Sequence, residues 1–393
     1  DFVQYDFQTL VNRTGVGSEK WDEMLTFKPN VAPEVVPFTT ADMEWKNAPE
    51  IVEEVQAFTQ AYPMGYASRT VGYDNAVSGW MKRRHNWEVQ RDWIVITPGV
   101  LPALFTIVQE FSNPGDGVII LSPVYFPFGM AAQMNDRKVV NSALLYQEGK
   151  YTIDFDDLES KAANLDNKIL LFCSPHNPMG RIWTPDELRR IGEICNRNNV
   201  LIVSDEVHHD LIMPGRQHTV FATVSEEFTN NMIVCTAPSK TFNLAGFCTA
   251  NIIIPNKEIR DVFTNRLRRN GLFHLYGLGC KATEVAYTKC DQWLEQCIQQ
   301  IWSNHQTLKG FVEERIPQIR VHDLDATYLQ WLDVRSFGLD EKALVAKVQG
   351  EAEVFFYEGY AFGPEGSGFE RMNIACPEKV LLDALKRIEY AFR

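Results

Sequence analysis

Between Trp93 and Ile254 the chain repeats one pattern: a short apolar run, a turn, then a stretch of helical period. The apolar runs fall at about 93–97, 117–122, 138–145, 168–174, 200–204, 231–236 and 248–254. Strands that are apolar throughout must be covered on both faces. Alternation of such strands with helices gives a mainly parallel sheet with helices on either side. The clearest helix start is Thr184-Pro185-Asp186-Glu187, a capping box with proline at the first helical position. The pattern predicts an α/β fold built on a large, mostly parallel, seven-stranded sheet.

The flanks read differently. Residues 1–45 are rich in loop signals, with Gly15, Gly17, Pro29, Pro33 and Pro37. Asn47 reads as the cap of a helix through about Tyr62, with Pro49 in its first turn. A glycine-punctuated loop, Met64 to Gly72, precedes a second helix from about Tyr73 to His85. Beyond about 256 helices dominate. A long one is predicted from Leu275 to Trp302, and helices follow at about 339–349 and 377–391. Short strands are predicted at about 327–333, 353–357 and 370–375. At 393 residues two domains are expected. The change of pattern divides the chain into a large domain, 46–285, and a small α+β domain made of 1–45 and 286–393.

Composition narrows the partners. With 38 basic and 51 acidic residues the net charge is −13, which disfavours nucleic acid and anionic membranes. No apolar run reaches the roughly 18 residues of a membrane helix, and no signal-peptide pattern opens the sequence. The eight cysteines contain no C-x-x-C pair, so core thiols in a reducing cytoplasm are expected, and no metal site.

In an open parallel sheet, ligands bind beyond the carboxyl ends of the strands. The residues there carry the chemistry. Lys240 closes an apolar run inside Thr236-Ala237-Pro238-Ser239-Lys240-Thr241. A desolvated lysine loses its proton more easily and can form a Schiff base, and hydroxyls beside it suit a phosphate. Pyridoxal phosphate needs both; an ordinary loop lysine needs neither. Gly99 and Val100 follow the first strand and open a helix, whose free N–H groups suit a phosphate, or form a plain turn. Tyr125 follows the second strand, placed to stack on a flat ring or simply to pack. Asn177, between two prolines, has an amide aimed at a ring oxygen or makes an Asn-Pro turn. Asp205 ends an apolar strand, where a carboxylate needs a positive partner such as a pyridinium N–H, or caps a helix. His208 lies near the ring hydroxyl or at the surface. Arg371, in an apolar strand, suits a substrate carboxylate or a structural ion pair.

Taken in order, P-x-Y, N-P-x-G, D-E-x-H, S-K and R-x-N resemble the fold-type I pyridoxal-phosphate enzymes of the aspartate aminotransferase superfamily. Within it the chain is most similar to the cystathionine β-lyase-like C–S lyases. Gly17-Ser-Glu-Lys-Trp21, Ala41-Asp-Met43, Leu171 to Pro178, Asp210 to Gly215, His218 to Phe221, Thr236 to Asn243 and Gly368 to Arg371 carry that likeness. It implies the catalytic residues Lys240, Asp205 and Tyr125. Lys240 would hold the cofactor, Asp205 its ring nitrogen and Asn177 its ring oxygen, with Tyr125 stacked on the ring and His208 nearby. Gly99, Val100, Thr236 and Ser239 would hold the phosphate, and Arg371 the substrate carboxylate beside Ala41. Tyr66 would reach the site from the neighbouring subunit of a homodimer. The implied reaction is α,β-elimination from a small amino-acid thioether; aminotransfer by the same residues is the alternative, and a cofactor-binding module with vestigial chemistry is a third. Two departures stand out. Cys248 occupies the place where many superfamily members have a phosphate-binding arginine, as the C–S lyase branch generally does not. Phe126 follows Tyr125 where the most similar sequences have a second tyrosine.

Overall fold

The computed structural model describes residues 1–393. The first nine strands are β1 (Ile94–Thr97), β2 (Gly117–Ile120), β3 (Lys138–Asn141), β4 (Leu145–Gln147), β5 (Lys150–Thr152), β6 (Asn167–Cys173), β7 (Leu201–Asp205), β8 (Met232–Thr236) and β9 (Ala250–Ile253). β4 and β5 form a short hairpin, and the other seven make one sheet in the order β1-β9-β8-β7-β6-β2-β3. β3, β2, β6, β7 and β8 are parallel to one another, whereas β9 runs against both β8 and β1. β1 therefore points the same way as β8, and the ends of β1, β2, β6, β7 and β8 share one edge.

Strand side chains alternate between faces, and the two faces feed separate apolar cores. Ile119, Leu170, Phe172, Ile202 and Val234 enter the larger core. Val118, Ile169, Leu171, Val203 and Ile233 enter the smaller one, beneath the helices Val100–Phe111 and Lys257–Arg269. Both faces are buried, as continuous apolar strands require. The capping box at Thr184 and Glu187 is present, with Pro185 opening the helix Pro185–Arg197.

Four further strands, β10 (Arg320–Val321), β11 (Leu329–Asp333), β12 (Tyr357–Glu358) and β13 (Phe369–Asn373), make an antiparallel sheet in the order β10-β11-β13-β12. Arg371 sits in β13 between Trp331 and Tyr357. No helix is long and apolar enough to cross a membrane.

Several elements differ from the sequence reading. The long helix expected from Leu275 to Trp302 is two helices, Gly277–Lys289 and Asp291–Arg315, broken at Cys290, whose backbone leaves the helical region (φ −116, ψ 23). No glycine or proline marks that break. The expected strand at 138–145 stops at Asn141, and the one at 353–357 pairs only at Tyr357–Glu358 and through a bridge from Phe356 to Phe38. The helix expected at 339–349 is Glu341–Val345 followed by a wider π-turn over Ala346–Glu351. Within 1–45 a helix, Glu19–Phe27, is capped by Ser18. Asn47 caps nothing: its side chain donates to Phe242 O (2.9 Å) and Asn243 O (2.7 Å), while Pro49 still opens the helix Pro49–Ala61.

Gly180 ties the Asn177 loop to the small sheet. Its carbonyl accepts from Asp325 N and Ala326 N, both at 3.0 Å. At φ +70 a Cβ there would lie 2.9 Å from Ala326 O. Gly180→Ala is expected to destabilise the protein by about 1–3 kcal/mol, through strain and overpacking. A urea titration checks it.

Candidate active site

Five loops meet at the shared edge and enclose a cavity of about 250 Å³. Ala41, Gly99, Val100, Tyr125, Asn177, Asp205, His208, Ser239 and Lys240 all line it, so nine of the twelve expected site residues converge there. The other three lie outside. Thr236 is buried, and its hydroxyl donates to Asn251 O (2.8 Å). Arg371 lies behind Asn177, and its Nη1 donates to Asn177 Oδ1 at 3.1 Å. Tyr66 is 91% exposed and stacks on His274 (4.8 Å between centroids), outside the cavity of its own chain.

Asp205 ends β7 with Cys173 of β6 and Cys235 of β8 as its register partners. One carboxylate oxygen accepts from Val207 N at 3.2 Å. Burial among these thiols and apolar neighbours pushes the carboxyl up to about 7. Lys240 does not neutralise it: Nζ donates to Ala41 O at 2.8 Å. Burial, and then the Arg371 charge, bring the Lys240 ammonium down to about 8. His208 is buried with Nδ1 unpartnered, and burial followed by the Lys240 and Arg371 charges holds it well below the usual imidazole range. At neutral pH it is a neutral ring.

The floor of the cavity near β1 has a different character. Gly99, at φ 140, precedes the helix Val100–Phe111, whose first turn has no side-chain cap. Only glycine adopts that backbone freely, and the uncapped N–H groups make an anion site. Ser239 adds a hydroxyl, and Cys248 and Thr249 close the rim. Apart from Lys240, the lining contains no lysine or arginine.

Arg371 is buried and flanked by the rings of Tyr357 (4.9 Å) and Phe362 (5.0 Å). Its Nη2 donates to Thr39 O (2.8 Å), its Nε has no partner, and no carboxylate answers its charge. Burial brings the guanidinium down to about 10. A buried cation without an anion suits a ligand that brings one. Phe126 packs on Tyr357 (5.3 Å) and Phe362 (6.0 Å), an all-aromatic wall beside Arg371.

Two participants escaped the sequence reading. Tyr328 donates its hydroxyl to Ala41 O at 2.7 Å, and Asp210 accepts from the hydroxyl of Thr241, next to Lys240, at 2.9 Å. Both act across more than 30 positions of chain, a separation that no local motif records.

The residues present fit pyridoxal phosphate. A buried carboxylate lacking a cation, a lysine amine of lowered basicity and an uncapped helix start surround one cavity. These match the ring nitrogen, the aldehyde and the phosphate in turn.

Residues 50–388 match the family Aminotransferase class I and II, and the chain belongs to that family. It is 37% identical over 386 residues to "Cystathionine beta-lyase PatB" of Bacillus subtilis, covering 98% of this chain and 99% of that protein. It superposes on the crystal structure of cystalysin from Treponema denticola, which contains pyridoxal 5'-phosphate, with a TM-score of 0.98, 46% identity and 99% of each chain covered. A pyridoxal-phosphate-bound C–S lyase from Staphylococcus hominis gives a TM-score of 0.92 at 28% identity, covering 99% of this chain and 98% of that one.

Asp205 sets a pH dependence in the cofactor-free protein. Its folded value, about 7, lies above the ordinary carboxylate value of 3.8, so the folded state holds the extra proton between the two. Stability therefore falls as pH rises through that window. Asp205→Asn should remove this fall and gain on wild type from pH 5 to pH 8 in urea unfolding of the cofactor-free proteins.

Proposed function

We propose that this protein is a pyridoxal-phosphate-dependent C–S β-lyase. It converts an L-cysteine thioether and water into a thiol, pyruvate and ammonia. The observation that carries the reading is the cavity shared by Lys240 and Asp205, a part-buried amine and a buried carboxylate with no ion pair between them, with Arg371, which has no carboxylate partner, directly behind Asn177. The relatives named as cystathionine β-lyase and C–S lyase support elimination over aminotransfer.

Bound in this cavity, pyridoxal phosphate withdraws electrons from an amino acid's α-carbon and makes its hydrogen acidic. Asp205 would hold the ring nitrogen, Asn177 the ring oxygen and Tyr125 the ring face. The N–H groups after Gly99, with Ser239, would hold the phosphate. Arg371 binds the substrate carboxylate through its guanidinium, whose Nε has no protein partner. Lys240 serves as general base: a value of about 8 leaves a fraction of the amine free at neutral pH, and Ala41 O orients it. The aromatic wall of Phe126, Tyr357 and Phe362 excludes water from the carboxylate site.

The proposal includes a large domain over 46–285 and a small one of 1–45 with 286–393. It is supported by the strands, since the seven of the large sheet fall in the first range and β10–β13 in the second. It also includes a homodimer with Tyr66 serving the partner's site. Tyr62, Met64, Tyr66, Val71, Phe273 and Tyr276 are all exposed, an apolar surface that suits a second copy. Sedimentation should give a dimer at micromolar concentration, and a fully active monomer would contradict it.

Purified protein given L-cystathionine should release pyruvate with thiol in equal amount. Lys240→Ala should lose about 10²–10⁴-fold in rate, the usual worth of a positioned base, while still binding the cofactor. Keto-acid formation without thiol release would replace this reading with an aminotransferase.

A further inference from the structure

The likeness to C–S lyases rests partly on two stretches with no chemistry of their own, Gly17-Ser18-Glu19-Lys20-Trp21 and Ala41-Asp42-Met43. The structure brings them together. Gly17 turns the chain at φ +85, Ser18 caps the helix Glu19–Phe27, and Lys20 and Trp21 point inward from its first turn. Lys20 is 1% exposed. Its Nζ donates to Glu44 Oε2 (2.7 Å) and to the Asp42 backbone carbonyl (3.3 Å). Trp21 Nε1 donates to the other Glu44 oxygen at 2.8 Å. Arg13 pairs with Asp42 at 2.8 Å and also with Glu44. Two cations and two anions thus balance within the cluster, although the Asp42 charge also reaches Lys240. Buried ion pairs of this kind seldom add stability over apolar packing, so a geometric role is the better account of it.

What the cluster grips is the segment 39–44. Thr39 O accepts from Arg371 Nη2, and two residues later Ala41 O accepts from Lys240 Nζ and from Tyr328. The segment is also tied at its inner side. Asn373 Nδ2 donates to Thr40 O (2.8 Å) and Asp42 O (2.7 Å), and Asn243 Oδ1 accepts from Met43 N (2.9 Å). One short piece of backbone therefore touches both the residue that takes the substrate's carboxylate and the residue that takes its proton.

We propose that residues 39–44 are a strap that sets the spacing between Lys240 and Arg371, and that Lys20 is the positioning residue that fixes the strap through Glu44 and the Asp42 carbonyl. The proposal rests on the roles given above to Lys240 and Arg371. An amino acid spans the two groups, its carboxylate on one and its α-hydrogen toward the other. A strap that slackens spoils the registration of both ends at once.

The test uses the holoenzyme and two variants, Lys20→Met, which keeps the volume, and Lys20→Arg, which keeps the charge. L-Alanine, which has no leaving group, serves as the binding probe, read by the change in the bound cofactor's visible absorbance. Lys20→Met is expected to weaken L-alanine binding and raise KM for L-cystathionine by about tenfold or more, as a misplacement of a fraction of an ångström does. Its kcat–pH profile should also move, because the Lys240 amine loses its fixed place at Ala41 O and the Asp42 charge that faces it loses its Lys20 partner. Lys20→Arg should recover most of both. A folded, cofactor-loaded Lys20→Met protein that binds L-alanine within about twofold of wild type, with an unmoved profile, would overturn the proposal. If Lys20→Met does not fold, Glu44→Gln, which keeps an acceptor for Trp21, is read by the same two measurements and decides. Wild type that binds L-alanine but releases no pyruvate would count against the lyase reading alone.

Discussion

The site depends on a carboxylate placed where the fold offers it no cation. Asp205 is fixed by its strand: β7 runs between β6 and β8, and its last residue emerges between two buried thiols. Burial raises the cost of its charge, and the nearest ammonium, on Lys240, is turned to a carbonyl. Such a group is costly unless something positive meets it. In the proposed function a protonated ring nitrogen would do so, and the carboxylate would in turn keep that nitrogen protonated. Structural cost and cofactor chemistry are thus the same interaction. Lys240 follows the same logic with the opposite sign, since the desolvation that penalises its ammonium would make it a base at neutral pH in the proposed reaction.

Arg371 completes the arrangement from a second sheet. Two rings flank its guanidinium, so the side chain is held in place without an acidic partner, and its charge is kept for a ligand. Phe126 belongs to this wall. Where similar sequences carry a tyrosine, this chain presents only an apolar ring to Tyr357. A hydroxyl at this position is therefore no part of the guanidinium's support here.

The sequence disclosed what depends on local pattern. Apolar strands alternating with helices specified the sheet, and residues at strand ends specified the cavity, because in a parallel sheet both follow from period and position. Asp205, Asn177 and Lys240 were legible for that reason. The break at Cys290 was not, because apolar residues continue across it at helical spacing through Leu294 and Cys297 and no breaker interrupts them. Asn47 was misread because a polar residue before Pro49 has the form of a cap, whereas its amide is used on Phe242 and Asn243, nearly two hundred positions away. Tyr328, Asp210 and the Lys20 cluster stayed hidden for the same reason: each acts through a long-range contact with an ordinary residue type.

The phosphate end shows how local a charge argument must be. The chain carries a net charge of −13, and the cavity wall near Gly99 has no lysine or arginine besides Lys240. Cys248 stands at the rim in a left-handed turn (φ 44), where an arginine side chain is absent. A dianion is nonetheless well served there. The uncapped helix Val100–Phe111 contributes N–H groups and the positive end of its dipole, and these act within the first turn, where bulk charge is screened. Gly99 and Asp205 follow strands three places apart in the sheet order, so the one buried carboxylate of the lining is kept away from the phosphate. Holding the anion by backbone has a further effect. With no arginine in the lining, no second guanidinium would compete with Arg371, behind Asn177, for the substrate carboxylate of the proposed reaction.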